Sequence, residues 1–438
     1  MLLRAEIISI GDELTSGQRL DTNSKWISEK LGDLGIKTAF HTTVGDAMPD
    51  NIDVFRTAVR RADLVIASGG LGPTADDLTR EAIALAFNLP LEIRPEALEH
   101  IESLFALRKR PMPERNRSQA MFPEGSRIIE NPHGTAPGID LIVTSPHTLD
   151  GRTSRIFSLP GVPAEMMQMF SATIQPRLIE EMGVGGQRWF YHSIKVFGIG
   201  ESDVEKKLPD LIRRDRDPIV GITVSKATIT LRIAALCSDE AEFRSKIGPT
   251  IQQIQEQLGW LIFAEGEMDI DGATQAWLTD RGTRLGVIEI GSGAWIQKYL
   301  ADLSSQGGTG LQVGRWFPSL EHLSESVPAD FLADLVEPME SMEPKSSDET
   351  TKQLSNAAEH LRQQLDLDLC LAAGVYPTHQ AVISSKSLPT SDFTFVLARR
   401  GKAVKHTTVS LGAHPDVLYH RLAKTGLNFL RLELLQHG

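Results

Sequence analysis

Apolar positions in the first third of the chain switch repeatedly between two periods. Ala5–Ile10 is a short β-rich apolar run ending at Gly11-Asp12, the pattern of a strand. Trp26, Ile27, Leu31 and Leu34 then recur at helical spacing across Asn23–Leu34, and Gly35 supplies a C-terminal stop. Lys37–Val44 reads as a strand, and Asn51–Ala62 as a helix with Ile52, Phe55, Val59 and Ala62 on one stripe. Leu64–Ala67 reads as a buried strand and Thr79–Phe87 as a helix. Ser126–Ile129, Gly138–Val143 and Arg155–Ser158 add strands, and Ala164–Glu181 reads as a closing helix. Strands alternating with amphipathic helices predict an α/β fold. Its parallel sheet would be wrapped on both faces, with ligand sites at the carboxyl ends of the strands.

After Gly183–Gly186 the pattern changes. Trp189–Val196 and Thr228–Ala235 alternate like strands around a helical Glu201–Arg214, and Phe243–Leu258 reads as a second helix. This small α+β unit ends near Trp260–Phe263. A third part, from about Asp271, opens with the helix-like Ala273–Asp280 and the strand Leu285–Glu289. The polar, Pro-containing stretch Glu337–Lys352 reads as a loop or unstructured insertion. Strands Asp368–Ala372 and Phe393–Ala398 precede a long final helix, about Pro415–Gln436.

The chain has 438 residues, 41% hydrophobic and 23% charged, enough for about three domains, and disorder is excluded as its dominant state. Asp and Glu number 57 against 45 Lys and Arg, a formal net charge of -12. An acidic chain lacks the general attraction for phosphate backbones and anionic lipid, which argues against nucleic-acid and membrane partners. Cys237 and Cys370 lie far apart in apolar stretches and read as buried thiols in a reducing compartment. The N-terminus carries Glu6 in mid-run and no cleavage site, so it reads as a strand rather than a signal peptide. No run approaches the roughly eighteen apolar residues that cross a bilayer. The sequence reads as that of a soluble, cytoplasmic protein.

Candidate chemistry gathers where strands end. Gly11-Asp12-Glu13-Leu14 and Asp21-Thr22-Asn23 follow the first strand. Turn and helix-cap roles account for Gly11, Thr22 and Asn23. They do less for Asp12 and Glu13, which add negative charge at the mouth of the sheet. The richest segment is Ser68-Gly69-Gly70-Leu71-Gly72-Pro73-Thr74, continuing through Asp76 and Asp77 to Thr79. Glycines after a buried strand let backbone N–H groups approach an anion, and the helix start adds a favourable dipole. Asp76 and Asp77 would cap that helix. Beside a phosphate they would repel it unless a divalent cation lay between, so the joint pattern points to a metal-bridged phosphate site. The loops Asn131–Gly138 and Leu159–Pro163 complete the set, although each alone reads as an ordinary turn. His133 reads as a loop residue rather than a base.

In order along the chain, Gly11–Leu14, Asp21–Asn23, Thr43-Val44-Gly45-Asp46, Gly69–Thr79, Asn131–Gly138 and Leu159–Met166 resemble the CinA family, competence/damage-inducible protein A. The resemblance implies a three-layer α/β domain over 1–180, similar to the molybdopterin-binding fold of the MogA, MoaB and MoeA proteins. It implies a small α+β KH-like domain over 187–264, marked by Phe197–Ser202, and an α/β C-terminal domain over 270–438. No basic Gly-x-x-Gly clamp accompanies the KH-like segment, so the name implies no RNA. By resemblance the first domain is a divalent-metal-dependent (Mg²⁺, Mn²⁺ or Co²⁺) ADP-ribose pyrophosphatase, releasing AMP and ribose 5-phosphate, in a homodimeric protein. Asp46 and Asp77 match the two acids of that active site and would hold the metal, with Glu13 as a third catalytic carboxylate. Gly69, Gly70, Gly72 and Thr74 would contact phosphate through N–H and hydroxyl groups. Gly11, Asn23, Ser68, Asp76, Gly134, Thr135, Pro160 and Gly161 complete the substrate-binding set.

The C-terminal third departs from the family. That domain resembles a nicotinamide mononucleotide deamidase with a nucleophilic serine in a Glu-Ser-Cys-Thr-Gly-Gly motif and a lysine further on. Here Glu289-Ile290-Gly291-Ser292-Gly293-Ala294 puts Ile290 at the serine position, and isoleucine has no nucleophilic atom. Ser292 lies two positions along, where a strand-to-turn change points it elsewhere. No lysine occurs between Lys298 and Lys345, and the family's glycine-rich phosphate loop is replaced by Ala372–His379. The domain is expected to keep its fold and lose its deamidase activity. Two further readings stay open: a binding module that holds a pterin or nucleotide without turnover, and a residual deamidase with altered machinery. The intact acids Glu13, Asp46, Asp76 and Asp77 favour the hydrolase, since a pure phosphate binder would carry Lys or Arg there.

Overall fold

The computed structural model describes residues 3–144, 146–149, 151–213, 216–304, 310–326, 347–378, 391–411 and 414–435. The chain forms two compact units, Met1–Phe190 with Leu236–Ser245, and Tyr191–Ala235 with Lys246–Gly438.

The first unit is a three-layer α/β sandwich. Its sheet runs in the order β2-β1-β3-β8-β7-β6, built from β1 (Arg4–Ile10), β2 (Lys37–Val44), β3 (Leu64–Ser68), β6 (Arg127–Ile129), β7 (Gly138–Val143) and β8 (Ser154–Leu159). β2, β1, β3 and β8 pair in parallel, whereas β7 and β6 are antiparallel additions. The expected sheet is therefore mixed at one edge. β3 and β8 are buried at every residue, as strands covered on both faces must be. On one face, Ile8, Val65 and Ala67 cluster with Phe55 and Val59 of α3 (Met48–Arg61), Ile83 of α4 (Thr79–Phe87) and Ile101 of α5 (Pro95–Leu107). On the other, Ile7, Ile66 and Phe157 cluster with Ile27 and Leu31 of α2 (Thr22–Asp33) and with Met166 of α6 (Pro163–Met169). Each fully buried side chain of this size contributes about 1.5–3 kcal/mol.

Local chemistry sets the ends of these elements. Asp21, rather than Thr22 or Asn23, caps α2, its Oδ1 accepting from the Ser24 N–H at 3.0 Å. The expected helix Ala164–Glu181 is α6, a π turn at Phe170–Ile174 and α7 (Gln175–Met182). Pro176, at the start of α7, has no N–H to continue the α ladder, which accounts for the break. α5, a 3₁₀ turn at Glu114–Ala120 and the short pair β4 (Leu91–Ile93) with β5 (Met121–Pro123) were not legible as elements.

Among the described residues the second unit holds two sheets. One runs β10-β11-β9-β12, from β9 (Arg188–Val196), β10 (Ile219–Ser225), β11 (Thr228–Cys237) and β12 (Ile262–Glu265). The helix expected at Glu201–Arg214 ends at Lys207, and Arg214 lies outside the described residues. The other sheet runs β14-β13-β15-β16-β17, from β13 (Leu285–Gly291), β14 (Leu311–Phe317), β15 (Leu369–Tyr376), β16 (Ser391–Arg399) and β17 (Lys402–Leu411). The final helix, Pro415–Leu435, covers one face with Leu418, Leu422 and Leu430. The other face is covered by Ser347–Gln364, through Leu354, Ala358 and Leu361. That helix corrects the reading of 337–352 as a loop, because residues 347–352 form its first turns; 337–346 lie outside the described residues. Both cysteines are buried thiols outside any disulfide, and burial pushes the Cys370 thiol up.

Candidate active site

A cleft of about 520 Å³ lies beyond the carboxyl ends of β1, β3 and β8. Parallel strands bring there the chain segments that follow them, which are far apart in sequence. The segment after β1 begins a short helix, α1 (Asp12–Thr15), so Asp12 and Glu13 are helical rather than in a loop. Asp12 and Asp46 clasp each other. The Asp12 N–H donates to Asp46 Oδ2 at 2.9 Å, and the Asp46 N–H to Asp12 Oδ1 at 3.0 Å. Burial raises the Asp46 carboxyl above its ordinary range, and the neighbouring charges of Asp12, Asp76 and Glu13 add to this against the lowering Asp12 N–H bond. Four of the expected acids therefore act on one another.

After β3 the chain turns through Gly69 and Gly70, whose φ values of 115° and 64° suit glycine. A Cβ on Gly69 would collide with the Ile10 carbonyl, and one on Gly70 with Thr79, so only glycine lets this loop pass so close to β1 and α4. Thr79 closes the loop, its Oγ1 donating to the Gly69 carbonyl at 2.9 Å and its N–H to the Gly70 carbonyl at 3.0 Å. The Gly69 N–H is spent on the Leu159 carbonyl at 3.0 Å. The N–H groups of Gly70, Leu71 and Gly72 donate to no described protein group, and all three residues line the cleft. Consecutive unspent N–H groups form an anion-binding nest.

Asp77 does not cap α4, whose N-cap is Leu78 without a side-chain bond. Its carboxylate accepts from Thr74, from the N–H at 2.9 Å and from the hydroxyl. Thr74 is thereby turned toward Asp77 and does not line the cleft. Beneath the loop lies Arg80, 2% exposed, donating to the Leu71 carbonyl at 2.8 Å and the Pro137 carbonyl at 3.2 Å. Burial pulls its guanidinium down to about 10, with the charges of Glu81 and Asp77 opposing. It remains a cation at neutral pH.

Of the expected residues, Gly11, Glu13, Asp46, Gly69, Gly70, Gly72, Asp76, Asp77, Thr135, Pro160 and Gly161 meet in this cleft. Asn23 and Ser68 line a small adjoining pocket, with Asn23 Nδ2 donating to Ser68 Oγ at 2.9 Å and to the Gly161 carbonyl at 3.0 Å. Gly134 sits behind the wall, its N–H given to Asn131 Oδ1 at 2.9 Å, and Asn131 Nδ2 donates to Glu165 Oε2 at 2.7 Å. Arg19, Gln119 and Glu165 also line the cleft and escaped the sequence reading. Arg19 and Gln119 belong to no sequence motif, and Glu165 lies in the Leu159–Met166 segment without having been singled out as a site residue.

Among the described residues no group of three or more His, Cys, Asp or Glu side chains is arranged to hold a metal ion by itself. A cleft lined by Glu13, Asp46, Asp76, Asp77 and Glu165 with one basic side chain nevertheless suits a divalent cation that takes its other ligands from phosphate and water.

In the second unit, Glu289 is buried and its carboxylate caps the start of the helix α11 (Trp295–Ser304). Glu289 Oε1 accepts from the Ile296 N–H at 2.8 Å and from the Tyr376 hydroxyl at 2.7 Å, and Oε2 from the Gln297 N–H at 2.9 Å. Burial raises its carboxyl, with those hydrogen bonds opposing. Ile290 is fully buried in the apolar cluster of Leu354, Ala358 and Leu361. Ser292 falls in the turn after β13, where its carbonyl accepts from Trp295 Nε1 at 2.9 Å. Trp295 stacks on Tyr419 with ring centres 5.1 Å apart.

Comparison with known proteins matches two stretches of the chain. The family described as probable molybdopterin binding domain matches residues 6–180, and the damage-inducible protein CinA KH domain matches residues 192–264. A CinA-like protein of Dictyoglomus thermophilum is 36% identical over 302 residues, which cover 69% of this chain and 71% of that protein. Among solved structures, the protein CinA from Thermoplasma acidophilum is 33% identical. The match covers 40% of this chain and 98% of that one, with a TM-score of 0.36. The molybdopterin biosynthesis enzyme MoaB of Thermus thermophilus is 24% identical over 42% of this chain and 95% of that one, with a TM-score of 0.29. No helix among the described residues is long and apolar enough to cross a membrane.

Proposed function

Because this chain belongs to the CinA family and opens with a MogA/MoaB-like molybdopterin-binding domain, we propose that this domain is a metal-dependent ADP-ribose pyrophosphatase. It splits ADP-ribose and water into AMP and ribose 5-phosphate. One observation carries the reading: three consecutive unspent N–H groups, Gly70 to Gly72, line the same cleft as a mutually repelling set of carboxylates. The first feature suits a phosphate and the second a cation, and a pyrophosphate with a divalent ion satisfies both.

Asp46 and Asp77 would hold Mg²⁺, Mn²⁺ or Co²⁺, which when bound neutralises charge across the two phosphates and polarises a phosphoryl oxygen. The N–H groups of Gly70, Leu71 and Gly72 bind the phosphate that is attacked and stabilise charge building on its oxygens. Water attacks one phosphorus, the bridging P–O bond breaks, and the bridging oxygen leaves with the other phosphate. One of Glu13, Asp46 and Asp77 takes the proton from the water. The C-terminal domain contributes no deamidation in this reading, since Ile290 is a core residue with no nucleophilic atom.

The test is chromatography of products after incubating the full chain with ADP-ribose and each metal, with an EDTA control and an Asp77→Ala variant. AMP that requires both the metal and Asp77, with a fall of at least about 100-fold in the variant, supports the proposal. No AMP with any metal overturns it and favours a domain that holds a pterin or nucleotide without turnover.

A further inference from the structure

Arg19 is the only Lys or Arg among the residues lining the cleft, where it shares the wall with Glu13, Asp46, Asp76, Asp77 and Glu165. It also lines the small pocket beside Asn23 and Ser68, so it stands on the border of the two spaces. Its backbone is anchored, the Arg19 N–H donating to the Glu13 carbonyl at 3.0 Å, directly behind a cleft carboxylate. Among the described residues its guanidinium makes no hydrogen bond or ion pair, despite the acids around it.

We propose that Arg19 is a substrate-reading residue that grips a phosphate of the bound nucleotide in the cleft that the glycine loop also lines. The inference rests on the nucleotide reading of the cleft and adds its phosphate specificity. A guanidinium presents paired N–H donors that match two phosphate oxygens, and no protein ion pair has to break before Arg19 makes that contact. The small pocket, with about 30 Å³ of room, admits no more than a hydroxyl or a water beside Ser9, Asp21 and Asn23. Asn23 Oδ1 is a buried acceptor without a partner among the described residues.

Equilibrium titration of the full chain with Mn²⁺ alone, and then with α,β-methylene-ADP or adenosine in its presence, tests this without turnover. In Arg19→Ala, affinity for α,β-methylene-ADP falls about tenfold and adenosine binding is unchanged. Arg19→Lys keeps part of the affinity as a point charge. Mn²⁺ binding in Arg19→Ala is unchanged or tighter, because a cation has left an acidic cleft. Unchanged affinity for the analogue, equal loss for adenosine, or weaker Mn²⁺ binding overturns the assignment. Failure of the unsubstituted protein to bind the analogue removes the nucleotide reading itself, and Arg19's role with it.

Discussion

Among the described residues Arg80 is the largest fully buried side chain, and its guanidinium has carbonyl partners but no ion pair. Its Nε has no partner among them. Burying a charge on these terms is unfavourable, so a neutral side chain of similar length is tolerated. Arg80→Met is expected to shift the unfolding free energy by no more than about 1 kcal/mol in a denaturant titration. The two loops joined through the Leu71 and Pro137 carbonyls lose their common anchor, and nucleotide affinity falls about tenfold. A variant destabilised by several kcal/mol with unaltered nucleotide binding would contradict this role. The sequence pointed to Gly69, Gly70 and Gly72 because they follow a buried strand and are joined by Thr74, Asp76, Asp77 and Thr79. It could not show that Arg80 lies beneath them, since burial of an arginine depends on carbonyls contributed from residues 71 and 137. Likewise the Asp77 carboxylate was legible as an acid near a helix start, while its engagement with Thr74 depends on how the loop folds back.

Helices and strands follow their sequence patterns where one face is apolar, and depart from them where polar residues dominate. Ser347–Gln364 was hidden because Leu354, Ala357, Ala358 and Leu361 are spaced helically within a strongly polar stretch that begins beside a proline-containing one. β17 alternates Lys, His, Thr and Ser with few apolar residues, and it is ordered by its pairing with β16. The start of α11 is instead fixed by a tertiary contact, the buried Glu289 carboxylate at its first N–H groups. Replacing Glu289 by Ala would leave those groups and the Tyr376 hydroxyl unpaired, a loss of about 2–4 kcal/mol. Next to it, Ile290 tests whether the deamidase position retains any chemistry. Ile290→Ser restores the residue type of the family motif, yet the new hydroxyl would be buried among leucine and alanine side chains. The expected outcome is a loss of about 2–4 kcal/mol and no ammonia released from nicotinamide mononucleotide. Deamidation by this variant would show that the rest of the machinery persists.

Across the whole molecule, the residues assigned to the candidate site lie within the first unit, while a half-buried ion pair joins elements of the second. Lys424 of the final helix is fully buried, and its Nζ donates to Thr228 Oγ1 at 2.7 Å and to Asp269 Oδ2 at 2.6 Å. The same carboxylate accepts from the Ile270 N–H at 2.8 Å and caps the helix Ile270–Asp280. One aspartate therefore ties three elements of both sheets' surroundings: β11, the helix it caps and the final helix. Burial alone would raise the Asp269 carboxyl, but Lys424, the Ile270 N–H and Thr228 more than offset it and hold the group below its ordinary range. A depressed carboxylate contributes stability at pH values above its unfolded pKa and loses it as pH falls toward the folded value. The protein is thus expected to lose stability on acidification from about pH 5 to pH 3. Lys424→Met removes the principal partner and costs about 2–3 kcal/mol at neutral pH, less than a fully buried pair because the Asp269 side chain is 41% exposed. Its unfolding midpoint should therefore fall less steeply over that acid range, whereas parallel curves for the two proteins would rule the pair out as the source. AMP formation at neutral pH should survive in the variant, because every residue assigned to the cleft belongs to the other unit. A joint loss of stability and hydrolysis would instead mean that the second unit takes part in the reaction.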